Sequence, residues 1–163
     1  MRPTSERVRE TVFNWLAPRI HGARCLDLFA GSGALGLEAL SRGAAEVVFV
    51  ERSRKAAAAL RRNVTLLGAD TAEVIEQDAR DYLRRRSTVP FDVVFLDPPF
   101  ADDMLEDLCR RLDGGNLLRP GAEVYVEENR ASPAVPLPDG WRVLRSKQAG
   151  NVRYSLLAAE REA

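Results

Sequence analysis

Phe91-Asp92-Val93-Val94-Phe95-Leu96 is a near-continuous apolar run. Its Val and Phe content suits a strand buried on both faces of a parallel sheet, and such a sheet places a chain in the α/β class. Asp97-Pro98-Pro99-Phe100 stand at the strand's carboxyl end. Each proline fixes its own φ, lacks an N–H and holds the residue before it extended. The carbonyls of Asp97 and Pro98 therefore have no helix or ladder to join. Stiff acceptors beside an exposed ring suit a flat ligand carrying an N–H group. A surface turn after a core strand is the plainer alternative.

The rest of the chain alternates helix and strand. Arg2 to Leu16 reads as a helix, capped by Thr4 or Ser5 and ended by Pro18, with Val8, Val12, Trp15 and Leu16 on one face. Its polar edge carries Arg2, Thr4, Arg7 and Glu10, by default a solvated face. Ala23 to Leu28 is a short strand. Phe29-Ala30-Gly31-Ser32-Gly33-Ala34-Leu35-Gly36 and a helix to about Ser41 follow it. Gly31-x-Gly33-x-x-Gly36 between strand and helix is a nucleotide-binding spacing, because glycine permits a tight turn and close ligand approach. A second strand, Ala45 to Val50, ends in Glu51, placed to accept ribose hydroxyl hydrogens. After a helix over Arg54 to Leu67, the third strand, Ala72 to Gln77, ends in Asp78. That carboxylate suits an adenine amino group, the N-cap of a helix over Ala79 to Arg86, or both.

Asp102 to Leu112 reads as the next helix, capped by Asp102 or Asp103 and stopped by Gly114-Gly115. A fifth strand, Ala122 to Val126, finishes in Glu127 and Glu128. Trp141 to Arg145 and Arg153 to Ala158 form a closing antiparallel pair around Gln148-Ala149-Gly150-Asn151. The expected architecture is one doubly wound α/β domain over 1–163 with helices on both faces. Its ligand sits at the carboxyl ends of the strands, and its last connector is too short for a parallel crossover. Asp27, the Gly31 loop, Glu51, Asp78 and Asp97 all fall at that edge.

Composition removes other classes. No apolar run approaches the ~20 residues of a membrane helix, and the N-terminus lacks a signal peptide's hydrophobic region. Cys25 and Cys109 are distant and form no CxxC pair, which fits reduced core residues and a cytoplasmic setting. His21, the single histidine, has no metal-ligand partner nearby, so no metal site is expected. The 24 basic and 24 acidic residues cancel, short of a dedicated nucleic-acid binder. Arginine is nevertheless patchy: Arg2, Arg7 and Arg9; Arg84 to Arg86; Arg110 and Arg111; Arg142, Arg145, Lys147 and Arg153.

Leu26-Asp27-Leu28-Phe29-Ala30-Gly31-Ser32-Gly33 with Asp97-Pro98-Pro99-Phe100 resembles the S-adenosylmethionine-dependent methyltransferases of the seven-stranded class. The tetrapeptide is similar to the signature of enzymes that methylate exocyclic or amide nitrogens. Arg2-Pro3-Thr4, Arg7-Val8-Arg9-Glu10, Phe13-Asn14-Trp15-Leu16, Gly31 to Ser41 and Ala149 to Tyr154 resemble the bacterial 16S ribosomal RNA guanine-N2 methyltransferase family. In that family a basic segment forming a short hairpin precedes the Arg-Pro-Thr motif. Without it here, either the segment is trimmed or RNA engagement relies on other patches.

The resemblance implies a Rossmann-like sheet of seven strands, one antiparallel near the C-terminus, with the N-terminal helix over 1–18 covering the cofactor edge. It implies S-adenosyl-L-methionine as cofactor, with Asp27, Phe29, Ala30 and the Gly31-Ser32-Gly33 backbone at its methionine part. Glu51 would serve the ribose and Asp78 the adenine, with Thr4 and Arg7 nearby. It implies a monomer acting on a guanine of 16S ribosomal RNA within a small-subunit particle. The base must be unpaired or flipped, at a few kcal/mol, with Phe100 stacking on it for ~1–3 kcal/mol. The Asp97 side chain and Pro98 carbonyl would take the two N2 hydrogens, with Pro99 holding the turn. An ordinary Asp97 pKa of ~3.9 is too low to deprotonate a neutral arylamine beforehand. Methylation of DNA adenine N6 or cytosine N4, or of protein glutamine, shares the tetrapeptide. An NAD-dependent oxidoreductase would explain the glycines and Glu51 but not Asp97-Pro98-Pro99-Phe100. A non-catalytic RNA-binding module would leave both motifs without a role.

Overall fold

A computed structural model describes residues 6–85, 89–98 and 104–159. Thr4, Pro99, Phe100, Asp102 and Asp103 lie outside the described residues. The elements run α1 (Glu6–Ile20), β1 (Arg24–Asp27), α2 (Ala34–Ser41), β2 (Glu46–Glu51), α3 (Arg54–Leu66), β3 (Ala72–Glu76), α4 (Ala79–Leu83), β4 (Phe91–Leu96), α5 (Leu105–Gly114), β5 (Leu118–Asn129), β6 (Arg142–Ala149) and β7 (Val152–Ala158). The sheet order is β3-β2-β1-β4-β5-β7-β6. β7 runs antiparallel to both its neighbours, and the other strands are parallel to one another.

Period-two alternation sorts the strand side chains between two apolar layers. Cys25, Val47, Phe49, Val93, Phe95 and Tyr125 pack under α1, α2 and α3 with Phe13, Leu16 and Leu60. Leu26, Val48, Val50, Val94, Leu96 and Val126 pack under α4 and α5 with Tyr82, Leu108 and Leu112. Each large side chain so buried contributes about 1.5–3 kcal/mol. The direction of α1 follows from two contacts. Arg19 pairs with Glu123 at 3.4 Å, and Trp15 stacks on Tyr154 with centroids 5.4 Å apart. Glu123 precedes Glu127, the cross-strand partner of Tyr154, along β5. The N-terminus of α1 therefore points to the carboxyl edge of the parallel strands.

Several boundaries differ from the sequence reading. The first helix continues through Pro18 to Ile20. The proline leaves the Asn14 carbonyl without its helical donor, but Asn14 is exposed, so water can replace it. Buried Ile20 anchors the extra turn. α4 is shorter than the span to Arg86, and α5 begins at Leu105 behind Met104, which makes no side-chain cap. β5 is twelve residues long, extended backward past Gly121 (φ 79°) with a register shift opposite Phe91 to Val93. β6 runs on to Ala149, so the connector shrinks to Gly150-Asn151, and Trp141 lies before the strand, donating its indole N–H to Asp113 at 3.1 Å.

Candidate active site

The register shows how the acids meet. Asp27 is level with Phe49 on β2 and Phe95 on β4, and there β1 stops. β2 continues to Glu51 and β4 to Leu96, with Asp97 the next residue. The early end of β1 leaves a notch in the sheet edge between β2 and β4, beside the β1/β4 boundary where the sheet order reverses direction. Asp27 is its floor, and Glu51 and Asp97 are its walls. Leu96 pairs with Val126, so Asp97 and Glu127 follow side by side. Alternation turns all four carboxylates to the α1 side of the sheet.

The loop leaving β1 is stitched across the notch, Leu28 N–H donating to the Phe95 carbonyl at 3.2 Å and Ala30 N–H to the Val50 carbonyl at 3.0 Å. Gly31 (φ 55°) gives its N–H to Glu51 Oε1 at 2.9 Å, and Ser53 N–H donates to Oε2 at 2.7 Å. Both oxygens are thereby aimed, and each keeps a lone pair for a further donor. Asp27 is buried and accepts from Gly36 N–H at 3.1 Å, closing the first turn of α2 from beneath. Asp78 caps α4 through Oδ1, accepting from Arg80 N–H at 2.9 Å and Asp81 N–H at 3.4 Å. The glycine at 36 is required by packing: a Cβ there would lie 2.8 Å from Phe49 Cζ and 2.9 Å from Val47 Cγ1. Helix-to-sheet contact, rather than ligand approach, fixes that position. Arg7 is exposed on the first turn of α1, Phe29 is half-buried against the α4–α5 layer, Pro98 is buried, and Ser32 is exposed.

Crowded acids in a poorly solvated notch hold their protons. Burial first, partly offset by the Gly36 N–H, and then the Glu51 charge push the Asp27 carboxyl up to about 7. Burial, then Glu127 and Asp27, push Asp97 up to about 7 as well. This corrects the ordinary value expected for Asp97, because a free carboxyl's pKa presumes water that the notch excludes. The protons belong to the cluster rather than to one residue.

Glu127 and Tyr125 received no role from the sequence. The Tyr125 hydroxyl donates to Glu127 Oε2 at 2.8 Å, and its ring meets Phe95 edge-on at 6.3 Å. Glu127 was visible as another acid at a strand tip, but only the pairing of β4 with β5 puts it beside Asp97. Cys25 and Cys109 are free and buried, their thiols raised to about 12 and unreactive. Among the described residues no group of His, Cys, Asp and Glu is placed to hold a metal ion, and no helix is long and apolar enough to cross a membrane.

Known proteins share this fold. The family model described as "Conserved hypothetical protein 95" matches residues 1–158. The ribosomal RNA small subunit methyltransferase D of Haemophilus influenzae is 46% identical over 96% of this chain and 82% of its own length. That of Escherichia coli strain K12 is 44% identical over 98% and 80%. The solved structure of yhhF from Escherichia coli superposes with a TM-score of 0.93 at 42% identity, covering 99% of this chain and 90% of that one. SMU.776, solved in complex with SAH, shares the fold at a TM-score of 0.75 and 17% identity, over 92% of this chain and 49% of that one. The chain belongs to the family of the ribosomal RNA small subunit methyltransferases D.

Proposed function

We propose that this protein transfers a methyl group from S-adenosylmethionine to the exocyclic N2 of a guanine in 16S ribosomal RNA. The observation that carries the reading is Asp97-Pro98 forming one wall of a notch whose floor is Asp27 and whose other wall is Glu51. That arrangement suits an amine seat beside a pocket for a nucleoside-bearing cation. The names of the 44–46% identical relatives favour small-subunit RNA over DNA or protein. The tetrapeptide's likeness to amino-group methylases favours N2 within it.

The residues fit the cofactor. Glu51, with both oxygens already oriented by backbone N–H groups, suits two ribose hydroxyls. Asp78 keeps Oδ2 beyond its capping oxygen for an adenine amine. The Gly31–Gly33 loop and the acidic floor at Asp27 suit the methionine part. When bound, the group supplies an electrophilic methyl on a positively charged sulfur.

The chain's own work is positioning, worth up to ~7–11 kcal/mol. The Asp97 carboxylate and Pro98 carbonyl accept the two N2 hydrogens and aim the nitrogen lone pair at the methyl. A nitrogen that had taken the methyl would carry the positive charge given up by the sulfur, and Asp97 would accept one of its protons. Even at about 7, that carboxylate is too weak to take the proton from the neutral amine beforehand, yet it is a better acceptor afterward than an ordinary aspartate.

Incubation with labelled S-adenosylmethionine and either free 16S RNA or small subunits lacking the modification tests this. Label on one guanine N2 is expected. Label on DNA or protein alone, or binding of NADH in place of S-adenosylmethionine, overturns it.

A further inference from the structure

We infer that the outer edge of the sheet, strand β6 with Arg145 and Lys147 at its centre, docks the phosphate backbone of the RNA beside the target base. This rests on the RNA reading above and names the surface involved.

Charge is the first argument. Residues 141–159 contain three arginines, one lysine and no acid, in a chain whose 24 basic and 24 acidic residues cancel. Several cations elsewhere are neutralised locally: Arg42 by Glu38, Arg84 by Asp81, Arg110 by Glu106 and Arg111 by Asp107. Arg153 is paired with Glu128. Among the described residues no carboxylate pairs with Arg142, Arg145 or Lys147, and every residue of β6 is exposed.

Placement is the second. Lys147 lies opposite Tyr154, which lies opposite Glu127, the neighbour of Asp97. Three strand spacings separate Lys147 from Asp97, about 14 Å. Side chains directly opposite share a face, so Lys147 stands on the face of Tyr154 and α1, where the notch opens. The register shift between Val143 and Arg145 leaves Leu144 unpaired and puts Arg145 opposite Leu156. That bulge brings Arg145 to the same face as Lys147, about 6.8 Å away, while Val143 faces the other layer. Without it Arg145 would point away from the acceptor seat. Lysines on a bare edge strand also discourage aggregation, but that role needs no alignment with the notch.

The test uses the full chain. Arg145→Ala/Lys147→Ala is compared with Lys55→Ala/Arg62→Ala, an equal charge loss on α3, and with Arg145→Lys/Lys147→Arg. Methyl transfer to unmodified small subunits is expected to show KM raised about tenfold, with kcat and the Kd for S-adenosylmethionine unchanged. Each lost phosphate contact lowers the slope of log affinity against log salt by ~0.7–0.9, so the slope for 16S RNA should fall by about 1.5. The charge-keeping pair and the α3 control should match wild type. Unchanged KM and slope in a wild-type enzyme that methylates subunits overturns the docking surface and leaves the reaction standing. So does an equal effect in the α3 control, or a changed cofactor Kd. RNA binding weakened by the substitution in a protein that methylates no RNA leaves the surface standing and overturns the reaction. A wild type that neither binds nor methylates RNA overturns both.

Discussion

Glu127→Gln isolates the electrostatics of the notch. Glutamine keeps an oxygen to accept the Tyr125 hydroxyl, now at 2.8 Å from Glu127, and removes only the charge beside Asp97. Adjacent strands lie ~4.8 Å apart, and two like charges about 6 Å apart at an effective dielectric constant of about 20 repel by ~3 kcal/mol. That is a ceiling. The rise of Asp97 from 3.8 to about 7 has burial as its first cause and Glu127 as its second, so Glu127 supplies less than half. The substitution should lower the Asp97 midpoint by ~1–1.5 pH units.

The sign fixes the pH window. A carboxyl whose folded pKa is raised costs nothing below its unfolded value, where both states are protonated. Stability is then lost as pH rises from about 4 to about 7, and the loss stays constant above. Glu127→Gln should therefore leave the ligand-free protein unchanged near pH 4 and stabilise it near pH 8 by about 1.4–2 kcal/mol, some 3–8 °C in Tm. Melting across that range measures this, with Asp97→Asn as the second arm of a double-mutant cycle. In Asp97→Asn the gain should vanish. An equal gain at pH 4 and pH 8, or one that survives in Asp97→Asn, refutes the coupling.

Asp97→Ala should cut methyl transfer at least ~100-fold, the scale for one oriented polar group, while calorimetry still shows S-adenosylmethionine binding; lost binding would refute the division of labour. Glu51→Ala removes two charge-assisted hydrogen bonds of ~1.5–3 kcal/mol each, so the cofactor Kd should rise about 100-fold or more, and an unchanged Kd counts against the ribose role. Gly36→Ala should destabilise by ~1–3 kcal/mol through its clash with Phe49 and Val47, visible as a lower denaturation midpoint in urea.

The strands and their tips were legible because burial on two faces leaves continuous apolar runs, as in Val47 to Val50 and Val93 to Leu96. Glu51, Asp78 and Asp97 could be placed on one edge because every parallel strand presents its carboxyl end there. Spatial order was another matter. β4 sits between β1 and β5, so Glu127, thirty residues after Asp97 in sequence, becomes its neighbour through pairing alone. The bulge at Leu144 was hidden for the same reason, since it exists only relative to β7. Pro18 misled because proline's cost depends on whether the orphaned carbonyl reaches water, which sequence does not record.

The notch is an unstable place to keep acids. Asp27 and Asp97, each raised to about 7, mean that at neutral pH the notch either retains protons or bears repulsion that is poorly solvated. An apolar floor would fold more easily. What the acids provide is a site whose repulsion a cation relieves: positive charge beside Asp27 and Asp97 favours their ionised forms, and on the proposed reading the ionised Asp97 would accept an amine hydrogen. On the proposed reading, a bound cationic cofactor would therefore favour the form of Asp97 that the acceptor role needs.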